Sequence, residues 1–238
     1  MDYQGFIGLL GRRRSVRRFK PDPVSRETLE KILEASRYAP SAGNSQPWEL
    51  VVVQDSDVKR DISRRIALQI REEVKTDPTI ARGIAVQPFL YTAPVLIVVC
   101  GDPRLQESYP AWMDRSALLR QSLSNCIYTV QLAAACFGLA TAWATVQKGQ
   151  TELIVKEILG IPEVYTVDHL VPLGYPDDEA EGGQPVLRRV KERSGLRRGL
   201  GEVVHYDRYD TRRFRTDEEV KEFIWSSTVT RMREEHDR

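Results

Sequence analysis

The chain is poor in the groups that most unassisted side-chain chemistry uses. It holds three cysteines and three histidines in 238 residues. Cys100, Cys126 and Cys136 sit in apolar stretches and form no Cys-x-x-Cys pair. That points to reduced, core-type thiols and excludes a disulfide framework or a four-thiolate iron–sulfur cluster. No cluster of residues has metal-ligand spacing. Gly5, Gly8 and Gly11 are not followed by Gly-Lys-(Ser/Thr), so no nucleotide phosphate loop is present. No apolar run reaches membrane-spanning length, and the N-terminus lacks a signal-type apolar region, so the expected location is cytoplasmic, with no membrane partner. A formal net charge of +1 provides no global field for nucleic acid. No internal repeat or dividing linker appears, and residues 1–238 read as a single domain.

What is present is an ordinary globular composition, 41% hydrophobic and 29% charged. The patterning predicts helices over Tyr3–Gly11, from the Ser25 N-cap to Tyr38, and over Asp57–Lys75, Asp114–Phe137 and Thr151–Leu159. Strands are expected at Trp48–Gln54, Pro94–Cys100, Ala140–Val146 and Tyr165–Leu173, the first two nearly all apolar, as strands covered on both faces should be. A brief strand-like piece is expected at Glu202–His205. Residues 176–198 read as a surface loop ending in a second basic cluster, and 206–238 as a charged tail with an amphipathic stretch at Val220–Trp225. Irregular alternation of helices and strands favours an α+β fold. The Asp114–Phe137 helix is apolar on most faces in its second half, which suits burial against a partner subunit.

Positive charge is local. Arg12, Arg13, Arg14, Arg17 and Arg18 place five guanidinium groups in seven positions around Ser15. Pro40-Ser41-Ala42-Gly43-Asn44-Ser45-Gln46-Pro47-Trp48 is a turn-forming stretch that runs directly into the apolar Leu50–Val53. A dianionic phosphate needs charge-assisted donors, and arginine presents a planar fork matched to its oxygens. Two charges ~4 Å apart at a protein surface interact by roughly 4 kcal/mol before desolvation. A few such pairs suffice to hold a phosphorylated cofactor without a covalent link.

The two segments together resemble the nitroreductase superfamily of FMN-dependent oxidoreductases. Arg13-Arg14-Ser15-Val16-Arg17 is similar to the family's Arg-(Arg/His)-Ser-x-(Arg/Lys), and Pro40–Trp48 matches its Pro-Ser-x-x-Asn-x-Gln-Pro-Trp in full. Gly138-Leu139-Ala140-Thr141-Ala142-Trp143 resembles Gly-Leu-Gly-x-x-Trp, and Arg197–Val204 resembles a C-terminal motif. The resemblance spans roughly residues 12 to 205. It implies a central, mainly antiparallel sheet flanked by helices, and a homodimer with FMN at the subunit interface. By it Arg13 and Ser15 hold the phosphate, Arg14 lies on the phosphate–ribityl side, and Arg17 reaches the pyrimidine edge of the ring. Pro40, Ser41, Ala42 and Gly43 pack on the ring and ribityl chain, with Asn44 fixing the turn. A backbone N–H near Thr145 faces the flavin N5, and Arg197 completes the phosphate site. The implied reaction is ping-pong hydride transfer from NAD(P)H through N5 to an electron-poor acceptor such as a nitroaromatic, quinone or activated alkene. The cofactor carries that chemistry, so no catalytic side chain is named. Tyr128 and Thr129 stand where many relatives carry Gln-Asn, and Ala140 and Gly199 replace a glycine and a proline.

Other readings stand beside this one. Within the superfamily, reductive dehalogenases and enzymes that fragment the flavin are the alternative. From another class, Arg12–Arg18 alone would suit a polyanion or nucleic-acid binding module, with strongly salt-dependent binding and no visible absorbance. His169, in an apolar strand, reads as a hydrogen-bonded core histidine; Trp112, Trp143 and Tyr128 read as core or interface aromatics.

Overall fold

A computed structural model of the chain describes residues 1–76, 89–146, 149–177 and 198–224. The chain divides into two compact units, Met1–Gly183 and Gln184–Arg238. The first is built on one antiparallel sheet. Its strands are β1 (Trp48–Val53), β2 (Val95–Gly101), β3 (Ala140–Thr141), β4 (Ala144–Thr145) and β5 (Thr166–Gly174). They run in the order β1-β2-β5-β3, with β4 also on β5, and every pairing is antiparallel.

Every residue of β2 is buried. Leu96, Val98 and Cys100 face one layer, with Ile62, Ile66, Ile70 and Val155. Val95, Ile97 and Val99 face the other, with Leu29, Ile32, Leu123, Ile127 and Val130. The first layer comes from α3 (Ser56–Thr76) and α6 (Gln150–Leu159), the second from α2 (Arg26–Glu34) and α5 (Arg115–Cys136). Each large side chain so covered contributes roughly 1.5–3 kcal/mol of hydrophobic burial, which is why the central strand needs no polar residue. This is the sandwich the apolar runs predict. Two further helices, α1 (Tyr3–Arg12) and α4 (Phe89–Thr92), complete the described part of the unit. Among the described residues no helix is long and apolar enough to cross a membrane.

Helix ends follow local chemistry. Ser25 Oγ accepts the Thr28 N–H at 3.1 Å, and Asp114 Oδ1 accepts that of Ala117 at 2.9 Å. Helix α5 stops where Gly138 takes φ 68° and the Leu139 N–H returns to the Ala134 carbonyl at 3.0 Å. Helix α2 is α-helical only to Glu34. Ala35–Tyr38 tightens into a 3₁₀ turn, and Ala39 is extended because it precedes Pro40.

Three expectations need correction. The strand expected over Ala140–Val146 is two short pieces. The pairs Ala140↔Gly174, Thr141↔Leu173, Ala144↔Leu170 and Thr145↔His169 keep one register. The gap falls at Ala142, whose N–H reaches the Pro172 carbonyl at 3.2 Å. Pro172 has no N–H to return that bond, so the ladder breaks there. The strand-like piece at Glu202–His205 is instead helix α7 (Leu200–Val203), closed by Val204 N–H to the Leu200 carbonyl at 3.0 Å. Its two valines offer no alternation for a sheet, and a helical turn satisfies the backbone locally. Cys136 is exposed at the end of α5, unlike the buried Cys100 and Cys126.

In the second unit, α7 and α8 (Asp217–Ile224) flank a 3₁₀ turn at Thr211–Arg213. Asp210 accepts Arg212 Nε at 2.9 Å, which, with desolvation opposing, draws its carboxyl down to about 2. The expected loop over 176–198 lies, apart from Pro176, Asp177 and Arg198, outside the described residues, as does the tail beyond 224.

Candidate flavin site

The arginine segment is an extended strap on the sheet edge. The Arg13 N–H closes the last turn of α1 on the Leu9 carbonyl at 3.1 Å, and the chain then straightens. The Val16 N–H bonds the Thr141 carbonyl at 2.9 Å, with Ser15 bridged to Thr141 in parallel. Farther on, the Lys20 N–H bonds the Tyr175 carbonyl at 2.9 Å. Val16 and Phe19 are the buried anchors, both in the α3–α6 layer. Burying Val16 in an extended chain turns Ser15 and Arg17 outward on either side, and both are exposed. Arg13 and Arg14 are half-buried.

Their electrostatics set Arg13 and Arg17 apart. Arg26, Arg37, Arg60 and Arg64 each pair with a carboxylate three or four residues away. Among the described residues, no acid or carbonyl engages the side chain of Arg13 or Arg17. Two guanidinium groups and a hydroxyl on a pinned backbone form a donor set suited to a phosphate, so the residues present fit the cofactor that the resemblance implies.

The Pro40–Gln46 turn is held separately, on α5. Asn125 Nδ2 donates to the Pro40 carbonyl at 2.9 Å, and Ser122 Oγ accepts the Ala42 N–H at 3.2 Å. Ser41 Oγ accepts the Gln46 N–H at 3.0 Å, closing the loop on itself. Ala42–Asn44 makes one 3₁₀ turn. Gly43, Asn44 and Gln46 all take positive φ, at 53°, 54° and 46°. Two non-glycine residues in the left-handed region within one short turn is a concentration of backbone strain typical of ligand-binding loops. Gln46 Nε2 lies 3.3 Å from both oxygens of Asn44. Pro40, Gly43 and Asn44 are exposed; Ser41 and Ala42 are half-buried.

Thr145 is exposed on β4, opposite His169, and the next residue anchors the strand through Val146 N–H to the Asp168 carbonyl at 2.9 Å. It lies four residues along the same edge from Thr141, where Ser15 docks. At the rise of an extended chain that is about 13 Å. The structure therefore gathers Arg13, Arg14, Ser15, Arg17 and Thr145 along one sheet edge, and places Pro40, Ser41, Ala42, Gly43 and Asn44 on the flank of α5. Arg197 lies outside the described residues.

Sequence reasoning missed three residues that contact the turn: Ser122, Asn125 and Tyr109, whose hydroxyl lies against Gly43. The first two are spaced i, i+3 on one helix face, the only sequence signal they give. Nearby thiols are inert, because burial raises Cys100 to about 11 and Cys126 to about 12. No group of metal-ligating side chains occurs among the described residues.

An antiparallel sheet covered by helices on both faces, with a basic strap on its edge and a strained turn on α5, is a scaffold that suits a flavin, and comparison with known proteins agrees. The model of the nitroreductase family matches residues 10–175, and the chain belongs to that family. It is 34% identical over 171 residues to an Archaeoglobus fulgidus protein whose name couples NADH dehydrogenase with NAD(P)H nitroreductase, covering 71% of this chain and 84% of the relative. It is 28% identical over 188 residues to an iodotyrosine deiodinase of Nematostella vectensis, covering 74% and 69%. Among solved structures, an FMN-dependent nitroreductase of Clostridium difficile superposes with a TM-score of 0.61 at 26% identity, over 85% of this chain and 99% of that one.

Proposed function

We propose that the protein is an FMN-dependent oxidoreductase that takes hydride from NAD(P)H and passes it to an electron-poor small molecule, such as a nitroaromatic, quinone or activated alkene. The observation that carries this reading is the basic strap: Arg13 and Arg17 without partners among the described residues, beside an exposed Ser15, on a backbone bonded to β3. Arg13 and Ser15 bind the phosphate, Arg14 lies toward the ribityl chain, and Arg17 places a positive charge near the pyrimidine edge of the ring. Thr145 presents backbone to the ring, and the Pro40–Asn44 turn packs against it. When bound, FMN supplies reversible two-electron exchange at N5, which allows NAD(P)H and acceptor to react in turn at one site.

A homodimer completes the proposal. The turn and the strap sit on different supports within one chain, and a second copy brings one chain's turn to the other's strap. Asn125, Tyr128, Cys136 and Phe137 are exposed along α5 and offer that surface.

The test is a titration with FMN followed by visible absorbance. Wild type is expected to bind and turn yellow, and Arg13→Ala to bind at least about tenfold more weakly, as loss of a charge-assisted bond to phosphate predicts. Protein that stays colourless with excess FMN, or binds nucleic acid with steep salt dependence instead, refutes the reading. The similarity to a deiodinase favours one second possibility, reductive dehalogenation. Oxidation of the reduced protein by a halophenol but not by nitroaromatics or quinones would select it.

A further inference from the structure

Strand β5 carries one extra residue against β2, beside the end of its pairing with β4. Val99 pairs with His169 and Cys100 with Val167, so Asp168 is left over as a bulge. The bulge sends Val167 to the α3–α6 side with Leu170, while His169 keeps the α5 side by alternation with Val171 and Leu173. Trp143 packs on that same side. Its indole Nε1 lies 2.9 Å from His169 Nδ1, the rings edge to face at 85° with centroids 5.2 Å apart.

Indole nitrogen can only donate, so Nδ1 carries the lone pair and the ring's single proton is on Nε2. Trp143 stands in the gap between β3 and β4, next to the ladder position where Pro172 returns no bond. Beyond the gap, among the described residues, the backbone of β4 is bonded to β5 at the Ala144↔Leu170 and Thr145↔His169 pairs, with the Val146 N–H on the bulge carbonyl and Ala144 and Val146 packed in the core.

We propose that His169 is a positioning residue for the flavin-facing backbone at Thr145: by accepting the Trp143 indole N–H it substitutes for the ladder bond that Pro172 withholds, and a proton on Nδ1 undoes it. The inference rests on the reading of Thr145 given above. An imidazolium would turn an N–H against the indole N–H, and the pair would separate. Among the described residues, the charged groups on the elements packed around His169 include Glu152 of α6, which accepts the Val167 N–H at 3.0 Å and is paired with Lys156 at 2.9 Å. Asp168 beside the histidine favours the charged ring, and burial opposes it more strongly. Cys100 on β2 and Cys126 on α5 stay neutral. Glu49 lies one strand farther away on β1. On α5, Arg115 is committed to the Tyr109 carbonyl and Arg120 to Ser116.

The experiment has two arms, both on the full chain. In the first, without flavin, the Trp143 indole ¹⁵N–¹H resonance is assigned by its loss in Trp143→Phe and followed through the acid range. It is expected to shift with a midpoint below the ordinary histidine value of 6.5. In His169→Asn, whose Oδ1 replaces Nδ1 and does not titrate, it should stay in place. In the second arm, with FMN bound, His169→Phe keeps a ring but loses the acceptor. It should slow flavin reduction roughly fivefold, the rate equivalent of one neutral hydrogen bond, with KM for NAD(P)H little changed. His169→Asn should restore the rate and abolish its acid limb. The wild-type and Asn proteins decide the matter even where the Phe variant does not fold. An indole resonance that ignores pH, or that titrates alike in wild type and Asn variant, overturns the inference, as do identical rates and pH profiles in wild type and the Asn variant. Wild type that binds no FMN refutes the functional reading instead, and this inference with it, even while the indole still titrates.

Discussion

The Tyr109 hydroxyl occupies the space where Gly43 would carry a side chain: a Cβ built there would overlap that oxygen. Gly43 also takes φ 53°, a conformation that costs an L-residue about 1–2 kcal/mol. Gly43→Ala should therefore destabilise the protein by at least that amount in denaturant melts and weaken FMN. Tyr109→Phe in the Ala background removes the hydroxyl and should recover the steric part alone. Full recovery would show that the backbone conformation carries no strain.

Ser122 and Asn125 hold the same turn from beneath. Ser122 Oγ also donates to the Leu118 carbonyl at 2.8 Å, so its orientation toward Ala42 is fixed. Ser122→Ala and Asn125→Ala each remove about 1 kcal/mol of hydrogen bonding from the turn, and each should weaken FMN several-fold. Because both bonds constrain one loop, the double variant should lose less than the sum. Isothermal titration of the four proteins measures the coupling, and strict additivity would mean the two bonds act on separate segments.

The strands were legible because an apolar β-branched run such as Val95–Cys100 has few alternatives to a covered strand. The strap and the turn were legible as motifs, since their residue types follow one another directly in the chain. The supports were not. Ser122 reaches a residue 80 positions away and Asn125 one 85 away. A lone serine or asparagine on a helix looks the same whether it faces water or a loop. His169 read as a hydrogen-bonded core histidine; it is hydrogen-bonded but half-buried, and its partner Trp143 depended on a register that Pro172 interrupts. The failed strand at Glu202–His205 has the same root: two adjacent valines carry no period, and a helical turn over Leu200–Val203 satisfies the backbone locally.

Asp114 links acid stability to the site through α5. Hydrogen bonds from the Ala117 N–H and the Ser116 hydroxyl hold its carboxyl below the ordinary 3.8, with burial opposing weakly. A carboxyl depressed in the folded state stabilises fully above its unfolded value, and that contribution disappears as pH falls toward the folded value. Wild type should thus lose thermal stability on acidification below 3.8 faster than Asp114→Asn, which keeps the cap without titrating. Thermal melts of both proteins across that interval check the sign, and parallel pH curves would exclude the cap as a source of acid sensitivity.

Arg17 separates phosphate binding from tuning of the bound flavin. It lies exposed beyond buried Val16, two residues past Ser15, and among the described residues no acid neutralises it. A positive charge near the pyrimidine edge favours the reduced, anionic ring over the neutral oxidised one. Arg17→Ala should therefore lower the flavin midpoint potential by tens of millivolts, since a partly screened surface pair is worth on the order of 1 kcal/mol and 30 mV corresponds to about 1.4 kcal/mol for two electrons. Arg17→Lys should recover part of the shift, because the charge returns without the planar fork. Arg13→Ala should weaken binding instead and leave the potential of the residual bound flavin nearly unchanged. Spectroelectrochemical titration of wild type and the three variants distinguishes the roles: equal potentials in Arg17→Ala and wild type would place Arg17 away from the ring.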